Sequence, residues 1–144
     1  MVETKDRHGR LVPIRALLDT GTSSTMILRD FVPNDQMGKY KRKQTSWSTL
    51  GGNFRTKRKA IVEFKFPELD MKKSITWKPH VDETHSPQDM RYDMIIGMDL
   101  MAEIGIFVDT AEKCVEWSPQ TTHFSAVSTK MPISAMRSMP IIMS

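Results

Sequence analysis

Short apolar runs separated by turn-forming residues dominate the pattern of hydrophobic and polar positions along this chain. The run "RLVPIRALL" (10–18) follows the turn sequence "DRHG", and "FRTKRKAIVEFKF" (54–66) follows "GGN", as in two β-hairpins. Helical spacing occurs in "MDLMAEIG" (98–105), where two apolar residues share one face and Gly105 is placed to end a helix. The pattern predicts an all-β domain, mostly β with one short C-terminal helix.

Length and composition are those of a single domain. The chain has 144 residues, of which 39% are hydrophobic and 26% charged. We place the domain at residues 1–117, because residues 118–144 are rich in Ser, Thr, Pro and Met without a sustained period. That composition is typical of a linker or tail leading toward a following domain. No apolar run approaches the roughly 20 residues of a membrane helix, so no membrane partner is expected.

Cysteine usage and the N-terminal segment bear on the cellular compartment. A single cysteine, Cys114, excludes a disulfide framework and a cysteine-rich zinc cluster, and its strand position favours a small buried hydrophobe. The N-terminal "MVETKDRHGR" lacks the apolar segment of a secretory signal. These features predict cytoplasmic localisation.

The net charge of +4 is concentrated in three basic runs, "KYKRK" (39–43), "RTKRK" (55–59) and "MKK" (71–73). Such runs are more often a solvated face of exposed lysines than a binding surface, and a single-strand binder is expected to interleave aromatic residues with its charges, so nucleic acid is not expected as a partner of this domain. The alternative, a basic nucleic-acid-binding module, would show a steeply salt-dependent affinity for oligonucleotides that survives Asp19→Asn.

The segment "RALLDTGTSSTMIL" (15–28) places a carboxylate, Asp19, at the end of an apolar strand. Taken alone, Asp-Thr-Gly is most often a turn. A second interpretation is catalytic: two carboxylates about 3 Å apart share one proton, one acting as base toward water and the other as acid. In that interpretation Thr20 locks the loop through its hydroxyl group, and Gly21 lets the backbone amide approach the carboxylate.

Three motifs in order favour the catalytic interpretation. They are "ALLDTGTSSTMI" (16–27), "TLGGNF" (49–54) and "DMIIGMDLMAEIG" (93–105). Over roughly residues 5 to 117 the chain resembles the retroviral aspartic proteases, or retropepsins, and most narrowly the protease of an LTR retrotransposon polyprotein. The motifs match the catalytic loop, the glycine-rich flap and the C-terminal strand and helix of that family.

The resemblance implies a retropepsin-like acid protease barrel that forms half of a homodimeric enzyme. Asp19 of each chain, with Thr20 and Gly21, would form the catalytic dyad of an aspartic endopeptidase that cleaves its own Gag-Pol-type polyprotein. The dyad would activate a water molecule without a cofactor or a metal, in the cytoplasm or in virus-like particles there. The flap, Leu50 to Gly52, would close over an extended peptide substrate. The residues expected to bind substrate are Leu50, Gly51, Gly52, Ile27, Ile95 and Ile96.

The chain departs from the viral pattern at Ser23 and Met98, where many viral members carry an Asp and an Arg that form an ion pair. Because both partners are missing, no buried charge is orphaned, but a contact that helps to hold the dimer is lost. A catalytically silent retropepsin-like binding or dimerisation module is therefore the competing interpretation. Retention of Asp19 favours the enzyme.

Other polar residues have structural explanations. We expect Asp99 to cap or begin the short helix and Asp93 to end a loop. The four histidines, at positions 8, 80, 85 and 123, lack the spacing of metal ligands, so no metal site is predicted. Trp47, close to the flap, suits either a position at the flap base or plain packing.

Overall fold

The computed structural model describes residues 2–49, 52–67, 70–109, 111–117, 129–132 and 141–142. In these residues the regular secondary structure is mostly β-strand, as the sequence pattern predicted. The strands are β1 (Val2–Lys5), β2 (Leu11–Ile14), β3 (Ala16–Asp19), β4 (Met26–Leu28), β5 (Thr45–Thr49), β6 (Gly52–Thr56), β7 (Val62–Phe66), β8 (Asp70–Trp77), β9 (His80–Asp82), β10 (Met94–Ile96), β11 (Ile106–Asp109), β12 (Cys114–Trp117), β13 (Thr129–Pro132) and β14 (Ile141–Ile142).

One α-helix, α1 (Met98–Ile104), lies in the described residues and begins directly after β10. It ends at Gly105, whose φ of 75° is the left-handed conformation that glycine adopts without strain. Two short 3-10 turns, Arg29–Phe31 and Asn34–Gln36, follow β4. The predicted single helix and its glycine stop are confirmed. None of the described helices is long and apolar enough to cross a membrane.

The strands form four sheets. A four-stranded sheet has the order β2-β1-β7-β8, and a five-stranded sheet has the order β14-β3-β10-β4-β9. Strands β11, β12 and β13 form a third sheet, and β5 pairs with β6 in a separate hairpin. The five-stranded sheet positions the candidate site, because β3 ends at Asp19 and β10 leads into α1.

The predicted strand at 10–18 breaks at Arg15 into β2 and β3, which belong to different sheets. Strand β2 pairs with β1 in the predicted hairpin, whereas β3 pairs in parallel with β10. The break is stabilised by Asp93, which lies 78 residues away and accepts hydrogen bonds from the backbone and guanidinium of Arg15. Because Asp93 is so distant along the chain, the sequence around Arg15 does not indicate the break.

In the described residues, one hydrophobic core joins the two larger sheets to α1. Alternating side chains of β7 point inward, and every residue of β4 is buried, as expected for a strand covered on both faces. The fully buried members with the largest side chains include Phe64, Ile14, Leu18, Ile27, Leu28, Met94, Ile96, Leu100 and Met101.

Parts of the segment beyond residue 117 pair with the domain. Strand β13 is antiparallel to β12, and β14 is parallel to β3, with Ile142 opposite Asp19. The sequence showed no strand signal here because both elements are short and lack alternation, and the edges of β12 and β3 supply their partners. The proposed boundary at residue 117 stays a prediction.

Candidate active site

Asp19 lies where a buried strand gives way to a loop. The three preceding residues of β3 are buried, and β10 and β14 flank the strand on its two edges. Asp19 itself is partly exposed, in contrast to the buried carboxylate that an apolar strand end suggests. The strand therefore holds the backbone of Asp19 rigidly while its side chain stays accessible, as expected of a group that meets a substrate.

The turn after β3 orients the Asp19 carboxylate. The backbone N–H of Gly21 donates to Asp19 Oδ1 at 2.9 Å, and the N–H of Thr22 donates to the Asp19 carbonyl at 3.3 Å. The first contact confirms that the Gly21 amide approaches the carboxylate. A backbone donor fixes one carboxylate oxygen without introducing another side chain into the site.

The Asp19 loop, residues 19–25, is attached to the start of α1. The helix begins after Gly97, which has no side chain to cap the first amides. Instead the N–H of Met98 donates to the Thr22 carbonyl at 2.9 Å, and the N–H of Asp99 donates to the Ser23 carbonyl at 3.3 Å. Carbonyl groups of the Asp19 loop thus satisfy amides of the helix N-terminus.

A side-chain network completes this attachment. Thr25, which is fully buried, donates its hydroxyl to Asp99 Oδ1 at 2.7 Å, and its N–H donates to Asp99 Oδ2 at 3.2 Å. The same hydroxyl accepts the N–H of Gly97 at 3.0 Å. Asp99 lies in the first turn of α1, as predicted, but its principal contacts are to the Asp19 loop. Sequence reasoning missed the Thr25–Asp99 pair because 74 residues separate its members.

Ser23 and Met98, the two departures from the viral pattern, lie where the Asp19 loop meets the start of α1. Both side chains are exposed, Met98 to 45% of its surface. Their backbone groups hold the loop against the helix, and the Thr25–Asp99 pair lies beside them. An ion pair at these positions is therefore not needed to anchor the Asp19 loop within one chain.

We expect Thr25→Val to destabilise the protein by about 1 to 3 kcal/mol, because it leaves the buried Gly97 amide without its acceptor and removes one of the hydrogen bonds to Asp99 Oδ1, which then keeps only the N–H of Leu100. Thr25→Ser keeps the hydroxyl group and is the matched control. Urea denaturation at one protein concentration measures both variants. Equal losses from Val and Ser would show that the hydroxyl network does not stabilise the loop.

The predicted flap corresponds to the hairpin of β5 and β6, which closes with Thr49 opposite Gly52. Gly52 has a φ of 123°, which favours glycine, and it is exposed. Leu50 and Gly51, assigned to the flap tip from sequence, lie outside the described residues. Trp47 and Phe54 stack across the hairpin with ring centroids 6.2 Å apart.

The base of this hairpin is linked to the Asp19 loop through His80. Trp47 Nε1 donates to Thr56 Oγ1 at 3.0 Å, and Thr56 Oγ1 lies 3.4 Å from Nδ1 of His80. The His80 backbone N–H donates to the Thr25 carbonyl at 3.0 Å. His80 therefore contacts both the base of the β5–β6 hairpin and the loop that carries Asp19.

Burial lowers the pKa of His80 to about 4, with a smaller effect from Lys59 and Lys41. In the unfolded chain, His80 binds a proton once the pH falls below its ordinary pKa of about 6.5. In the folded chain it does so only near pH 4. Stability from this group is therefore complete above pH 6.5 and is lost as the pH falls toward 4. We expect a loss of up to about 3 kcal/mol.

His80→Asn tests this assignment, because an amide oxygen can replace Nδ1 as a neutral acceptor for Thr56. Between pH 7 and 4, the free energy of unfolding should fall more steeply for wild type than for the variant. Chemical denaturation at several pH values measures the difference. Parallel curves would mean that His80 does not titrate in this window.

The loop after β9, residues 83–93, is held at both ends by buried carboxylates. At its start Asp82, fully buried, accepts the backbone N–H groups of Thr84 and His85 and lies 2.8 Å from His85 Nδ1. At its end Asp93 pairs with Arg15 at 2.7 Å. Asp93 thus ends the loop as predicted. Because its carboxylate is paired with Arg15, it does not serve as a second catalytic acid.

The residues predicted for substrate pockets occupy different environments. Ile27 and Ile96 are fully buried in the core of this chain, while Ile95 is partly exposed. Strand β10 alternates between the two environments, since its neighbouring side chains point to opposite faces. Of these three isoleucines, only Ile95 has exposed surface. The structure brings Asp19, Thr20 and Gly21 together in one turn.

One cluster of possible metal ligands occurs in the described residues, at Asp109, Glu112 and Cys114. Asp109 Oδ1 accepts the N–H groups of Ala111 and Glu112, both at 2.9 Å, as an Asp in a tight turn does. Cys114 is buried, in agreement with its predicted packing role. The three residues are close together because they lie in or beside the turn between β11 and β12.

Comparison with known proteins gives one family. The family described as retroviral aspartyl protease matches residues 2–109. Among solved structures, the retroviral protease-like domain of Ddi1 from Leishmania major is similar with 12% identity and a TM-score of 0.46. That match covers 91% of this chain and 88% of the other. No curated protein matches the sequence.

Proposed function

The chain belongs to the retroviral aspartyl protease family, and from this premise we propose that it is an aspartic endopeptidase whose active site forms between two copies. The observation that carries the proposal is the accessible Asp19 carboxylate, held by the Gly21 amide at the end of a buried strand. One chain offers one such carboxylate at this loop, because Asp99 is engaged by Thr25. A second copy would supply the second acid.

In the proposed mechanism the two Asp19 carboxylates share one proton and hold a water molecule between them. The ionised carboxylate removes a proton from the water as it attacks the scissile carbonyl carbon. The protonated carboxyl donates its proton to the carbonyl oxygen, which gives a neutral tetrahedral intermediate. Breakdown returns a proton to the leaving amine, and no covalent acyl-enzyme forms. The turn at Thr20 and Gly21 keeps the dyad in place.

The substrate we propose is an extended peptide segment of the chain's own Gag-Pol-type polyprotein, as in an LTR retrotransposon. The β5–β6 hairpin would cover this segment and pair with its backbone. The stacked Trp47 and Phe54 stiffen the hairpin, and His80 joins its base to the Asp19 loop. Cleavage would take place in the cytoplasm or in virus-like particles there.

Autoprocessing tests the proposal. The chain is expressed with flanking polyprotein sequence at several concentrations, with and without a statine-type transition-state mimic. We expect cleavage that rises more than linearly with concentration and that the mimic blocks, while a serine-protease reagent and a metal chelator do not. A folded, dimeric protein that leaves the flanking sequence intact would instead be the binding or dimerisation module.

A further inference from the structure

Two basic runs that are separate in the sequence lie side by side in the structure. The N–H of Gly38 donates to the Lys59 carbonyl at 2.8 Å, and the N–H of Lys41 donates to the Lys57 carbonyl at 2.9 Å. The segments 39–43 and 55–59 are therefore neighbours: residues 38–41 pass antiparallel to residues 57–59, residues 42 and 43 lie in the bend that follows, and Arg55 lies in β6 opposite Ser46. We call these two segments the basic ribbon. It continues directly into the β5–β6 hairpin, because Thr45 pairs with Thr56.

Within the described residues, the basic ribbon carries many positive side chains that are not paired with acidic ones. Its eight cations are Lys39, Lys41, Arg42, Lys43, Arg55, Lys57, Arg58 and Lys59. Elsewhere 13 Lys and Arg residues face 17 acidic residues, so the excess of positive charge comes from the ribbon. Arg58 pairs with Glu83 at 2.6 Å, and no other described acidic side chain lies within ion-pair distance of the ribbon. A bound polyanion would relieve this like-charge repulsion.

An exposed aromatic ring lies within the ribbon. Tyr40 is 65% exposed, and the Arg58 guanidinium lies 4.5 Å from the centroid of its ring. A solvated lysine surface has no need of a large exposed ring. An aromatic face beside a planar guanidinium, surrounded by cations, is the combination on which unpaired bases stack while their phosphates are neutralised.

We propose that the basic ribbon binds single-stranded nucleic acid. Lys and Arg side chains along the two paired segments would contact successive phosphates, and a base would stack on Tyr40. The charge alone would also suit an acidic peptide, but the exposed ring favours unstacked bases. The sequence was interpreted as solvated lysines for want of interleaved aromatic residues, but Tyr40 lies within the run at 39–43, and its contact with Arg58 joins the two runs. This site is separate from Asp19 and goes beyond the proposed protease function.

Fluorescence anisotropy of the full chain with a labelled single strand of about 15 uridines, between about 50 and 200 mM KCl, tests the proposal. With four or five phosphates contacted, log K should fall against log salt with a slope of about −3. The triple variant Lys41→Gln, Lys43→Gln, Lys57→Gln should weaken binding at least about tenfold and flatten the slope by about 2. Thermal unfolding verifies that each variant is folded.

Two controls distinguish a specific binding site from a general effect of positive charge. Lys5→Gln, Lys78→Gln and Arg91→Gln together remove the same charge from exposed positions outside the ribbon, and should change affinity less than about threefold. Tyr40→Leu should weaken binding about tenfold with the salt slope unchanged, whereas Tyr40→Phe should retain affinity.

Three results would overturn the proposal. The first is an absence of salt-dependent binding by the folded wild type, and the second is an equal loss in both triple variants. The third is equally tight binding of poly-glutamate together with no effect of Tyr40→Leu, which would identify an acidic peptide as the partner. None of these results bears on proteolysis, because the autoprocessing experiment uses no nucleic acid readout.

Discussion

Asp19→Asn should lower kcat/KM for a cleavable peptide by at least about 10³-fold, because it removes both members of the proposed dyad from every dimer. The fold should survive. An asparagine oxygen can still accept the Gly21 amide that now contacts Asp19 Oδ1 at 2.9 Å. We therefore expect an unchanged circular dichroism spectrum and a melting temperature within a few degrees of wild type. Initial rates on a peptide selected from a cleavage library measure the effect.

Asp35→Asn is the matched control, since it makes the same chemical change at an exposed aspartate in a 3-10 turn away from β3. It should keep kcat/KM within about twofold of wild type. If the Asp19 variant retained activity close to that of Asp35→Asn, Asp19 would have no catalytic role. If both proteins were inactive and folded, the family's fold would serve binding here.

Gly97→Ala should produce the largest loss of stability, about 3 kcal/mol or more. A Cβ on Gly97 would lie 2.6 Å from the carbonyl carbon and oxygen of Ser24 and 2.8 Å from its nitrogen. These are backbone atoms of the Asp19 loop, so no side-chain rotation can relieve the overlap. The loop must move away from α1, which would break the Thr25 contact to the Gly97 amide. Proteolytic activity should fall together with stability.

Gly9→Ala provides the comparison for this variant. Gly9 has a φ of 80°, but no atom lies within 4 Å of a Cβ placed there. Its cost is backbone strain alone, about 1 kcal/mol. Urea denaturation at a single protomer concentration avoids the effect of dimerisation on apparent stability. Equal destabilisation of the two variants would contradict the close contact between Gly97 and Ser24.

The sequence predicted those strands and helix ends that are determined by residues close together along the chain. The apolar run into Asp19 predicted a buried strand, and Gly105 predicted the end of α1, which the structure confirms. In both cases the deciding residues lie within one strand or one helical turn. The β5–β6 hairpin was predicted for the same reason, although its second strand ends at Thr56 and β7 starts separately at Val62.

What sequence reasoning missed depends on contacts between distant residues. The Arg15–Asp93 pair divides a predicted strand, and the Thr25–Asp99 pair attaches the Asp19 loop to α1. Asp99 looked like an ordinary helix-start residue because acidic residues are common there for local electrostatic reasons. The loss of the viral-type ion pair at Ser23 and Met98 was visible from sequence, but the Thr25–Asp99 network beside it was not.

Mixing wild-type and Asp19→Asn chains tests the central claim, that each active site needs Asp19 from two chains. The two proteins are combined in different ratios at fixed total concentration and allowed to exchange before peptide cleavage is measured. If mixed dimers are inactive, an equal mixture should retain about one quarter of the wild-type rate, since activity follows the square of the wild-type fraction. A rate of about three quarters would mean that one Asp19 suffices in a dimer, and a rate of about one half would mean that each chain acts on its own. Either result, once exchange has been verified with a tagged chain, would contradict the account.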